Sequence, residues 1–208
     1  MKTTLLVLLA LLLPAVTFAA PASAPVEGTD YVVIDGGVPF EPHAPGQVEV
    51  AEVFAYWCPH CFEFQPAFTA WKATLPKTVR IAYVPAVFED GDAFPRAYFA
   101  LRDAGALPRL HQALYNAVHV DGTLARNATI DELASWFGAH GLDANKMRAA
   151  MLSPKTEQRV QAARAFQMHS GVLGTPTLIV DGRYRVTGQD RDDNLRIARQ
   201  LVDQRAGH

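Results

Sequence analysis

The hydrophobic positions of this 208-residue chain change period several times, and those changes predict its elements. "YVVI", residues 31–34, is a short β-prone run closed by Gly36 and Gly37, and reads as a first strand. "QVEVAEVFAYW", 47–57, is longer and almost continuously apolar, the pattern of a central strand buried on both faces. From Pro59 the spacing turns helical: Phe64, Phe68, Trp71 and Leu75 follow at steps of four, three and four and make one stripe. Pro59 suits the first turn of that helix, Pro66 should kink it, and Pro76 should stop it. "TVRIAYVPAVF", 78–88, returns to the strand pattern.

Residues 89–167 carry helical signals and no convincing strand. Leu110, Leu114, Ala117 and Val118 form a stripe, "TIDE" from Thr129 fits a capping box, and Ser153-Pro154 fits another helix start. The sequon "NAT" at 127–129 reads as a loop and a helix cap. Strands return as "TPTLIV" and "RYRV" around Asp181-Gly182, a strong hairpin signal, and a last helix runs from about Asp190 to Gln204 with Leu195, Ala198, Leu201 and Val202 on one side. The order is strand, strand, helix, strand, helical block, strand, strand, helix, which predicts an α/β layered fold with a helical insertion.

The first twenty residues change the picture of where the chain works. Lys2, an apolar run from Leu5 to about Val16, and small residues at Ala19, Ala20 and Ala22 read as a secretory signal peptide, too short in its apolar part to span a bilayer. A net charge of -2 and the lack of any basic run exclude a nucleic-acid backbone as a partner. Half the residues are hydrophobic, enough to bury a real core.

Both cysteines of the chain lie in "AYWCPHCFEF", 55–64, as Cys58 and Cys61 around Pro59 and His60. As a structural bridge the pair would close a four-residue loop, worth only about 2 kcal/mol before strain. As a zinc site it would need further ligands from histidines scattered along the chain. Reactivity explains more. A helix starting at Pro59 places Cys58 at its N-terminus, where free N–H groups and the helix dipole favour the thiolate. His60 either adds a donor or a positive charge there or is a solvated side chain, and Cys61, one turn further in, is expected to be more buried and to resolve a mixed disulfide. Lowering the Cys58 pKa stabilises the reduced protein, so the oxidised form becomes the better disulfide donor.

With "CPHC" at 58–61 after an aromatic-rich strand, "GTP" at 174–176 before the last hairpin, and a helical block between the two halves, the sequence resembles the DsbA family of periplasmic thiol:disulfide oxidoreductases over nearly all of the chain beyond the signal. The resemblance implies a thioredoxin-like fold, a central mixed sheet flanked by helices, with an inserted all-helical domain: signal peptide 1–20, thioredoxin-like domain 21–88 and 168–208, insertion 89–167. It implies a cis Thr175–Pro176 peptide beside the redox-active pair, with Thr175 offering its backbone to an extended substrate. A disulfide donor also needs an apolar docking surface nearby, for which Trp57 and Phe62 are candidates unless they are simply core. It implies no bound cofactor and no metal. The expected partners are reduced or unfolded exported cysteine-containing proteins and a membrane quinone-linked DsbB-like reoxidase, with the protein acting as a monomer in the periplasm.

Glu52 lies six residues before Cys58, matching the family's buried acid, and by strand alternation shares a face with Val48, Val50, Phe54 and Tyr56. A buried carboxyl there would exchange a proton with a nearby thiol, whereas on an exposed strand Glu49 and Glu52 would both be solvated. The family's partner lysine on the following strand is missing, with Tyr83 in its place. Two other functions compete with a disulfide donor. One is a periplasmic disulfide isomerase or reductant, disfavoured because only about thirty residues precede the central strand where such isomerases carry a dimerisation domain. The other is a non-catalytic metallochaperone.

Overall fold

The computed structural model describes residues 23–206, so the expected signal segment lies outside the described residues. Five strands form one sheet: β1 (Tyr31–Val33), β2 (Val48–Phe54), β3 (Val79–Pro85), β4 (Thr177–Val180) and β5 (Tyr184–Val186), in the order β1-β5-β4-β2-β3. β2 runs parallel to β3 and antiparallel to β4, which makes the sheet mixed. All seven residues of β2 are buried, as a strand flanked on both edges and covered on both faces requires. β2 ends at Phe54 rather than at Trp57, because the Cys58 N–H turns back to the Ala55 carbonyl at 3.1 Å.

That turn starts α1 (Pro59–Lys72), with Pro59 in its first turn, where the missing N–H costs nothing. Pro66 is accommodated inside this single helix, which stops at Lys72, ahead of Pro76. Five helices separate β3 from β4: α2 (Phe94–Asp103), α3 (Leu107–His119), α4 (Ile130–Ala139), α5 (Ala144–Met151) and α6 (Pro154–His169). The Thr129 capping box is made in full: the Glu132 N–H donates to the Thr129 hydroxyl at 3.2 Å and Glu132 Oε2 accepts from the Thr129 N–H at 2.7 Å. Ser153 caps α6 in the expected way. In the β4–β5 hairpin Asp181 and Gly182 take φ values of 53° and 65°. A Cβ on Gly182 would lie 2.0 Å from the Val38 carbonyl, so close chain passage as well as backbone angle demands glycine. α7 (Arg191–Ala206) closes the described chain.

Two buried clusters sandwich the sheet. Val48 and Val50 pack with Phe64 and Phe68 of α1 and with Leu195, Ile197 and Leu201 of α7. On the opposite side Ala51, Val53 and Ile179 pack against a cluster built mostly from α2 to α6, including Phe99, Leu114 and Phe137. Phe54 and Tyr56, at the end of β2, join this second cluster, with Phe54 5.4 Å from the His111 ring on α3. The β2 end, the α1 start and α3 therefore meet at one place, where the cysteines lie.

Candidate active site

Cys58 is the N-cap residue of α1, with no side-chain cap of its own, so the first N–H groups of the helix face its sulfur. The largest influence on Cys58 is a hydrogen bond from the Cys61 thiol, which favours the Cys58 thiolate. Burial opposes it, and Thr175 and the backbone N–H groups of Cys61 and His60 add support, leaving the thiol at about 5 instead of 9. Cys61 is pushed the other way, first by burial and then by the neighbouring Cys58. One sulfur of the pair is thus made to leave as an anion and the other to hold its proton. Cys58 is 5 % exposed and Cys61 has no exposure, the expected order, although Cys58 is more covered than a partly exposed thiol.

Part of that cover is the loop before β4. The Thr175–Pro176 peptide is cis, and the Cys58 thiol donates to the Thr175 carbonyl oxygen at 3.3 Å. Leu173, just ahead of the loop, is 91 % exposed and gives the approach an apolar edge. On another side, Trp57 donates its indole N–H to Asp92 at 2.8 Å and packs against Phe88, which together line a groove of about 410 Å³ with Glu89, Asp90 and Arg126. Phe62 is half-buried and stacks on His119 of α3 at 5.1 Å. The His60 side chain is 74 % exposed and lies 3.9 Å from Glu63, so what His60 gives Cys58 is its backbone N–H.

Behind the thiols lies a buried polar group of side chains. Glu52 has no exposure; its Oε1 accepts from the Gln65 amide at 2.9 Å, and its Oε2 has no hydrogen-bond partner among the described residues. Burial raises its pKa to about 8, against the pull of Lys72 and of the Gln65 bond, so the carboxyl is mostly protonated at neutral pH. Glu49, three residues earlier, is also buried, which rules out two solvated acids. Tyr83 stands directly opposite Glu52 in the β2–β3 register. Its hydroxyl accepts a hydrogen bond from Lys72 Nζ, which also lies 5.0 Å from the ring centroids of Phe68 and Tyr83. The positive charge sought on β3 therefore comes from the last residue of α1, across the Tyr83 hydroxyl.

Sequence reasoning missed Lys72, Gln65 and His111. Each carried a signal. Lys72 falls four residues after Phe68 and Gln65 four after Cys61, so both are polar residues at helical spacing from buried ones. His111 follows Leu110 on the α3 stripe; its Nδ1 is 2.8 Å from the Tyr56 hydroxyl, and burial holds its pKa down to about 4, so the ring is neutral. Among the described residues no three His, Cys, Asp or Glu side chains gather where they would hold a metal ion.

Comparison with known proteins agrees with this geometry. Residues 92–199 match the model of the DSBA-like thioredoxin domain. The chain is 31% identical over 181 residues to the thiol:disulfide interchange protein DsbA of Azotobacter vinelandii, covering 85% of this chain and 83% of that protein. It is 30% identical over 204 residues to the protein of the same name from Pseudomonas aeruginosa strain PAO1, with 95% of each covered. Among solved structures, oxidoreductase DsbA from Xylella fastidiosa superposes with a TM-score of 0.85 at 42% identity, over 89% of this chain and all of that one. A thioredoxin-like fold, a thiol pair of opposed proton affinity at a helix start, and full-length relatives of one activity make this chain a thiol:disulfide oxidoreductase belonging to the DsbA-like family.

Proposed function

We propose that the chain donates the Cys58–Cys61 disulfide to newly exported proteins that carry reduced cysteines, and that it does so in the periplasm. The observation that carries this direction is the low proton affinity of Cys58 beside the high one of Cys61. A substrate thiolate attacks Cys58 Sγ, the Cys58–Cys61 bond breaks, and Cys61 leaves with the electron pair and takes up a proton. A second substrate thiolate then attacks the substrate sulfur of the mixed disulfide, and Cys58 leaves as the stabilised thiolate. Stabilising that thiolate favours the reduced enzyme, and so the oxidised enzyme gives up its disulfide readily.

In this reading Pro59 and the His60 backbone set the helix start, and Thr175 and Pro176 form the edge along which an extended substrate segment lies. Trp57, next to Cys58 in the chain, borders the separate groove lined by Phe88 and Arg126. Glu52, mostly protonated near pH 7, supplies the proton that Cys61 needs on leaving. The reduced enzyme returns its electrons to a membrane quinone-linked reoxidase. We further assign residues 21–88 and 168–208 to the thioredoxin-like domain and 89–167 to the insertion, a division supported by the return of strands only after α6.

The test is redox equilibration of the pair against glutathione, with the Cys58 thiolate titrated by ultraviolet absorbance on the same sample. A potential well above that of glutathione and a thiolate midpoint about 5 are expected. A strongly reducing potential with an ordinary midpoint would make the chain a reductant.

A further inference from the structure

The chain enters α1 through a tight turn that is held from outside by α3. The Ala55 carbonyl accepts the Cys58 N–H at 3.1 Å and closes the turn over Tyr56 and Trp57. That bond uses neither group of the middle peptide, between Tyr56 and Trp57, which is the unit that rotates when one turn type converts into another. His119, the last residue of α3, takes hold of it: its Nε2 lies 2.8 Å from the Tyr56 carbonyl oxygen. A carbonyl only accepts, so Nε2 carries the hydrogen and donates it. Tyr56 is 1 % exposed, so water does not stand in for this donor. The same imidazole stacks on Phe62 with 16° between the rings, and the Phe62 N–H donates to the Cys58 carbonyl at 3.2 Å. One side chain therefore grips the CPHC segment on both sides, before Cys58 and after Cys61. His140, just beyond α4, makes the same two kinds of contact, with Nδ1 2.8 Å from the Trp136 carbonyl oxygen and its ring 3.7 Å from the Trp136 ring, but both stay at the end of its own helix.

We propose that His119 is a positioning residue for disulfide exchange, fixing the Tyr56–Trp57 peptide so that Cys58 Sγ stays in front of the first N–H groups of α1. Those of His60 and Cys61 support the Cys58 thiolate. With the peptide released, the torsions just before Cys58 gain freedom and the sulfur is no longer held to that position. The reduced form then loses part of its stabilisation, and the disulfide is given up less readily. His119 acts through the backbone and not on the sulfur. The proposal deepens the donor reading and rests on it, because that thiolate sets the direction of transfer.

The test compares the wild type with His119→Phe, His119→Gln and His140→Phe, each followed by thiolate absorbance, redox equilibrium against glutathione, and melting temperature. His119→Phe keeps a ring on Phe62 and removes the N–H. It should raise the Cys58 proton affinity about tenfold, one pH unit in the midpoint, and lower the equilibrium constant for oxidising glutathione by the same factor, about 30 mV in potential. The two readings should agree because the midpoint stays below pH 7. His119→Gln returns an N–H donor without the ring and should recover most of both. His140→Phe should leave both at wild-type values whatever its melting temperature, because its contacts do not reach the turn. A merely structural histidine would lower the melting temperature and move neither reading. An unmoved midpoint in His119→Phe, a Gln variant shifted as far as the Phe variant, or an equal shift in His140→Phe overturns the role of His119 alone. An ordinary midpoint in the wild type itself overturns the donor reading beneath it.

Discussion

Glu49 and Glu52 are buried carboxyls on one strand, three residues apart and on opposite faces, and the molecule treats them differently. Both oxygens of Glu49 are used: Oε1 accepts the Phe40 N–H at 2.7 Å and Oε2 the Glu41 N–H at 2.8 Å, pinning the segment between β1 and β2 to the sheet. Glu52 has one side-chain donor and one idle oxygen. Burial raises both pKa values, with two backbone bonds restraining Glu49 and the Lys72 charge and the Gln65 bond restraining Glu52, which still reaches about 8. A satisfied buried acid holds structure, and a half-satisfied one holds a proton that it is free to exchange.

Removing the satisfied acid should have the largest effect on stability. Glu49→Ala leaves two covered N–H groups without acceptors and is expected to cost about 3 kcal/mol, measured by urea unfolding at pH 7. The folded fraction should exchange disulfides at the wild-type rate. An unstable variant that is also slow per folded molecule would make Glu49 part of the site and erase the contrast.

Glu52→Gln should do the reverse. Between pH 4.5 and about 8 the folded protein keeps a proton on Glu52 that the unfolded chain has released, so Glu52 costs stability increasingly as pH rises through that window. The amide removes this slope and should gain about 2 kcal/mol at pH 7, with no gain below pH 4.5. It should also slow disulfide exchange. A variant less stable than the wild type at pH 7 would mean that Glu52, like Glu49, is structural.

The thiol end of the same site should give a smaller slope of opposite sign. Cys58 in the reduced protein titrates at about 5 instead of 9, so its contribution to stability is present in full above pH 9 and is lost as pH falls through 5. At pH 7, inside that window, only part of it is realised, about 1.5 kcal/mol. Unfolding of reduced protein from pH 4 to pH 9, with and without Cys58→Ser, reads this directly. Parallel curves for the two proteins would remove the electrostatic basis for a disulfide donor.

Much of this was legible in the residues. The CPHC pair at a helix start, the hairpin at Asp181-Gly182 and the inward acid at Glu52 follow from local patterns of period two or three to four, which a sequence displays directly. The cation near Glu52 does not, because it depends on how α1 lies across the sheet: Lys72 reaches Tyr83 only when the helix packs its Phe68 face on β2 and β3. The burial of Glu49 was hidden for a similar reason, since its partners are N–H groups of the segment that precedes β2 rather than side chains. The end of β2 was misread by three residues because a turn of small and aromatic residues looks like strand until the Cys58 N–H is seen to bond back to Ala55.

The smallest expected effect tests whether that cation belongs to Glu52 at all. Lys72→Met removes the charge and keeps most of the stem that lies over Phe68 and Tyr83. Near pH 7 Glu52 is mostly protonated, so the loss should be confined to the ring and hydroxyl contacts, about 0.5–1 kcal/mol. Above pH 8 the carboxylate loses its nearest positive charge, so the deficit should widen with pH and the Glu52 midpoint, followed by carboxyl infrared absorption, should rise above about 8. Lys72→Arg keeps the charge and should return the midpoint. Glu49, on the other face, should titrate alike in all three proteins. If Lys72→Met leaves the Glu52 midpoint where it was, Lys72 is only a covering side chain, and the contrast between the two acids then rests on hydrogen bonding alone.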